Sequence, residues 1–142
     1  MSLITILITV IGGIASILAI IDYKKKHIDT PREELHYLKV QFMATRTLSI
    51  SLAKKLEQYA NKCNAWDEKA MLNTTIANYI QLLKNSQETN LSIKLLETTL
   101  KSPLTGKIIQ SMVQSLEEQF KDLQKIDSWL QARMLEKDFN ND

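Results

Sequence analysis

Four side chains fall on one face of any helix formed by residues 36–46: His36, Lys39, Met43 and Arg46, at steps of 3, 4 and 3. Three of them are basic. A guanidinium with an ammonium beside it suits a phosphate group, because arginine binds phosphate bidentately and lysine adds a compact charge. Thr45, Gln41 and Ser49 lie on the same predicted helix and carry donors and acceptors that could read a base or a ribose. The candidate ligand-binding residues are therefore Arg46, Lys39 and His36, and the ligand class they point to is an anion. The competing reading is an ordinary solvated face, or one salt-bridged to the acidic end of the chain.

Other reactive residues give no site. His27 and His36 are the only histidines and Cys63 is the only cysteine. No His-x-x-x-His spacing occurs, and Glu33-x-x-His36 stands as a single Glu-x-x-His with no second such pair, so no metal site is expected. A single cysteine excludes an internal disulfide framework. Cys63 falls near a helix C-terminus, where the dipole disfavours a thiolate, and reads as a small core residue. Glu33-Glu34 and Glu117-Glu118 are sequence neighbours, so in a helix their carboxylates diverge and cannot share a substrate. They read as solvated faces, and so does Lys54-Lys55. The chain has three glycines, and Gly106 alone lies beyond residue 13, which leaves no glycine-rich loop for a nucleotide cofactor. No catalytic residue, cofactor or metal is expected, and the chain reads as a non-enzyme.

The elements that position the basic stripe begin with an apolar segment. Leu3 to Ile21 carries no charge over 19 residues, about 28 Å as a helix and close to the hydrocarbon thickness of a bilayer. Lys24, Lys25 and Lys26 follow it, which predicts an uncleaved anchor with the body on the cytoplasmic side. The expected layout is a transmembrane anchor at 1–23, a basic juxtamembrane linker at 24–29 and a cytosolic α-helical domain at 30–142. The expected location is the cell inner membrane, crossed once. Thr5, Thr9, Gly12, Ser16 and Ala19 recur at steps of 4, 3, 4 and 3 and form a small-residue seam. With one membrane helix per chain, such a seam predicts packing against another copy, hence a homo-oligomer.

The body reads as all-α. Thr30-Pro31-Arg32-Glu33 is a capping box with proline at the first helical position. Leu35, Leu38, Phe42, Leu48, Leu52, Leu56 and Tyr59 then predict one long helix to about Lys62. Asn64 is read as the cap of a second helix, with Asp67 and Glu68 in its first turn and a stripe from Trp66 to Leu83. Asn85 to Asn90 is polar enough for a loop, with a continuous helix as the alternative. A third segment, Leu91 to Lys101, is expected to bury Leu91, Leu95, Leu96 and Leu100. The last helix is placed at Thr105 to Lys137. No stretch alternates with a period of two, so no sheet is predicted, and four helices make one core.

Charge is distributed unevenly. Residues 30–107 hold 11 basic and 7 acidic side chains, whereas residues 108–142 hold 4 and 7. The body is nevertheless close to neutral, which disfavours binding to long nucleic acids. In layout, a bare N-terminal span with a basic stop (Leu3 to Lys26) joined to a small helical domain resembles the membrane-bound ancillary effectors of type III CRISPR defence. It looks most like the small kind activated by cyclic tetra-adenylate. The resemblance implies antiviral defence: a cytosolic domain binds the cyclic oligoadenylate as an oligomer, and the membrane part then disrupts the bilayer. Four copies of one Arg and one Lys would match a ring of four phosphates. The alternatives are a non-enzymatic membrane-anchored adaptor that docks a protein through an apolar groove, and a ligand-independent membrane-lesion or exclusion protein.

Overall fold

The computed structural model describes residues 31–70 and 73–140. The anchor, its seam (Thr5, Thr9, Gly12, Ser16, Ala19), the linker and the Thr30 cap lie outside the described residues. Among the described residues no helix is long and apolar enough to cross a membrane.

Four helices follow in order: α1 (Pro31–Cys63), α2 (Ile76–Glu88), α3 (Ile93–Lys101) and α4 (Gly106–Asn140). The described residues contain no strand, only an isolated antiparallel bridge between Lys69 and Thr75. The expected two long and two short helices are present. α1 has no glycine and, after Pro31, no proline, with Glu33 and Glu34 in its first turn and Lys62 in its last, as the helix dipole favours. Its 33 residues make a rod of about 50 Å. It packs against each of the other helices, most extensively along α4.

α1 ends at an asparagine that was expected to begin the next helix. Asn64 adopts φ 50°, and the Ala65 amide donates back to the Ala60 carbonyl at 3.0 Å. That is a Schellman-type stop, which asparagine tolerates because it enters the left-handed region at modest cost. α2 therefore starts 12 residues later, at Ile76. Thr75 caps it through its hydroxyl, which accepts from the Asn78 amide. The amides of Ile76 and Ala77 donate to the carbonyls of Glu68 and Trp66, so the connecting loop satisfies groups that a helix start leaves open. Asp67 and Glu68 belong to this loop and not to a first turn.

The later boundaries also moved. α2 continues through the polar Asn85–Glu88 stretch, and the reversal falls at residues 89–92. Ser92 caps α3 by accepting from the Leu95 amide, and Thr105 accepts from the Ile108 amide at the start of α4. Leu91 and Leu96 are buried, but Leu95, expected inside, is 44% exposed. The core joins Leu38, Phe42, Leu52, Leu56, Ile76, Ile80, Ile109, Leu116, Ile126 and Leu130.

Candidate functional site

The first half of α1 presents the basic stripe as its spacing predicts. His36, Lys39 and Met43 are exposed, and Arg46 is half-buried one turn further on. Among the described residues none of the three basic side chains forms an ion pair. The expected alternative of a salt-bridged face against α4 is therefore not found.

Arg46 has a definite position. Its Nη1 donates to the carbonyls of Gln87 at 2.8 Å and Leu91 at 2.7 Å, where α2 ends and the chain turns towards α3. The Gln87 side-chain amide donates in turn to Ser49 Oγ at 3.1 Å. A cation here compensates the negative end of the α2 dipole. Nε and Nη2 of Arg46 have no acceptor among the described residues. The guanidinium is thus held by neutral groups on one side, with its remaining donors unused.

The polar residues read beside it are not available to a ligand. Gln41, Thr45 and Ser49 are at most 1% exposed. Thr45 Oγ1 donates to the Gln41 carbonyl and accepts from Gln41 Nε2, which turns that pair inward. Lys55 also departs from expectation. In place of a solvated face it occupies the core, its Nζ 2.8 Å from Asp127 Oδ1, with side-chain exposures of 4% and 12%. Gln131 donates to the other oxygen of Asp127.

Beside the stripe lies a cleft of about 430 Å³ between α1, α3 and α4. Leu38, Phe42, Leu95, Leu96, Met112 and Leu116 supply its apolar surface. Asn90, Thr99, Ser111, Ser115 and Gln119 supply its polar edge, and no charged side chain lines it. Arg46 follows Phe42 by one helical turn, and the carbonyl it holds, that of Leu91, adjoins Asn90.

A second polar cluster ties the opposite end of the bundle. Glu68 accepts from Tyr59 at 2.9 Å and from Arg133 Nε, and Arg133 also donates to Glu136. Burial would raise the Glu68 carboxyl, but the hydrogen bonds from Arg133 and Tyr59 outweigh it and hold the group below its usual range. Burial first, and then the bond to Glu68, pushes the Tyr59 phenol up to about 12. Tyr37 is raised in the same way, by burial and by its bond to Glu117, so that carboxylate is not simply solvated. The Tyr59 hydroxyl and Nε and Nη1 of Arg133 each meet a carboxylate, and the cluster reads as a structural tie. Cys63 is half-buried at the end of α1. Among the described residues no group of His, Cys, Asp and Glu is placed to hold a metal.

Set against known proteins, the chain matches no family model, and no curated protein or solved structure matches it.

Proposed function

We propose that the chain is a membrane-anchored, non-enzymatic effector whose helical body binds a cyclic oligoadenylate, with cyclic tetra-adenylate as the ligand, on the Arg46, Lys39 and His36 face. The observation that carries this reading is Arg46: a half-buried guanidinium fixed by two carbonyls, unpaired with any carboxylate among the described residues, and holding donors in reserve. Such a group is pre-organised for a phosphate, since its side-chain entropy is already spent. Lys39 and His36 extend the same face. In a symmetric oligomer the face repeats around an axis, as a cyclic tetranucleotide requires. Binding would favour one packing of the bodies over another, and α1 would carry that difference to the N-terminal segment and the bilayer.

A second reading is favoured by the uncharged cleft and by Leu95 and Ile108, exposed at 44% and 47%. These features suit an anchored adaptor that takes an apolar protein segment. Light-scattering mass determination of the full chain in a mild detergent, with and without cyclic oligoadenylates of different ring sizes, separates the two. The nucleotide reading expects one ring size to bind and to set a defined oligomer. It also expects Lys39→Glu, at an exposed site, to weaken binding by about tenfold or more. A folded chain that binds no ring size would overturn it in favour of the adaptor.

A further inference from the structure

We infer that the cleft between α1, α3 and α4 is a nucleobase pocket, in which an adenine ring of the ligand is held while the neighbouring phosphate rests on Arg46. The inference builds on the nucleotide reading above and adds the part of the ligand that the basic stripe cannot recognise. A stripe of Arg, Lys and His attracts any anion and distinguishes no base. Selection of a base needs a second surface with different chemistry.

The cleft has that chemistry. Its lack of any charged lining side chain disfavours a phosphate inside it and favours a neutral body. Leu38, Phe42, Met112 and Leu116 offer flat and flexible apolar contact to the faces of a ring. Asn90 and Gln119 stand at its edge, and a carboxamide pairs one donor with one acceptor, the pattern that adenine presents through its amino group and adjacent ring nitrogen. A volume of about 430 Å³ lies within the range of small-ligand sites.

Continuity with the phosphate site comes through the backbone. Arg46 is one turn past Phe42, and its guanidinium grips the carbonyl of the residue after Asn90. A ligand spanning cleft and guanidinium therefore touches α1, α4 and the α2–α3 turn together. The same contacts explain why Arg46 is fixed and not free: a phosphate site offset from a base pocket must hold its distance.

Met112 reports on the pocket directly. In the full chain labelled with ¹³C-methyl methionine in detergent, adenosine, which has no phosphate, should shift the Met112 methyl and leave Met134 unmoved. Inorganic phosphate should not shift Met112. Ser115→Trp places bulk on the exposed rim, and Gln119→Leu removes an edge amide; each should weaken cyclic tetra-adenylate binding by about tenfold or more. Lys39→Glu should weaken the cyclic ligand but leave the adenosine effect intact. Unchanged affinity for the cyclic ligand in both cleft variants would overturn the pocket while the nucleotide reading stands. An adenosine shift at Met112 without cyclic-ligand binding would keep the pocket and overturn that reading. Failure of both probes in the wild-type chain sinks both.

Discussion

Asp127→Ala should be among the most damaging single changes in the helical body. It leaves the Lys55 ammonium, 4% exposed, without the carboxylate 2.8 Å away. At an effective dielectric constant near 20, a pair at this distance attracts by about 6 kcal/mol, and desolvation costs several kcal/mol for each ion. The two nearly cancel, so the intact pair contributes little net stability. Removing one partner keeps the desolvation cost and loses the attraction, a penalty of about 3–5 kcal/mol. That is a large share of the 5–15 kcal/mol by which domains are usually stable. The double change Lys55→Met with Asp127→Leu removes both ions and fills the space, and should be neutral or stabilising by about 1–4 kcal/mol. Urea unfolding of the full chain in mild detergent, followed by far-ultraviolet circular dichroism, measures both. A loss below about 1 kcal/mol for Asp127→Ala would refute the argument, because it would mean that water reaches Lys55. A large loss for the double variant would refute the cancellation.

Further outcomes follow from burial. Leu130→Ala, at 0% exposure, should cost about 2–5 kcal/mol in the same unfolding assay, whereas Leu82→Ala, at 58%, should stay within about 0.5 kcal/mol. Tyr59 and Tyr79 are pushed from 10 up to about 12, by burial and then by Glu68 and Asp122 respectively. Both phenols are harder to ionise folded than unfolded, so their contribution is complete below pH 10 and is lost as pH rises towards 12. In a Tyr23→Phe background, phenolate absorbance should therefore rise together with helix loss; separate, earlier ionisation would contradict the burial of these phenols. Arg46→Met should speed amide hydrogen exchange around residues 87–96 more than in α4, because it cuts the ties to Gln87 and Leu91.

Long periodic segments were legible in the chain, and short-range ambiguities were not. The apolar spacing from Leu35 to Tyr59 and from Ile109 to Met134 defines α1 and α4 because one stripe at 3.6 residues per turn has no other good solution. Asn64 misled because the same residue type caps helix starts and stops helices in the left-handed region. The periodicity of Trp66 and Ala70 carried the false helix further, since a folded loop can bury Ala70 and half-bury Trp66 equally well. The inward polar residues did leave a trace. Gln41, Thr45 and Ser49 continue the stripe between Leu38 and Leu52, and Lys55 sits between Leu52 and Tyr59, so position outranked polarity. The partner of Lys55 lies 72 residues away, which no local pattern reveals. For the site, the sequence showed the shared face of His36, Lys39 and Arg46, whereas the grip of Arg46 on two carbonyls and the cleft beside it required the fold.

The pairing of α1 with α4 also sets a timetable for biosynthesis. Tyr37 meets Glu117 across 80 residues, and Lys55 meets Asp127 across 72. At translation rates of about 5–20 residues per second, α1 is made roughly 4–15 s before the helix that covers it. During that interval the part of its apolar stripe that α4 covers and the Lys55 ammonium have no partner, and the 30 residues ahead of it have already been made. A nascent chain halted before α4 should therefore be bound by chaperones and cut readily by proteases. One released after residue 130 should escape both.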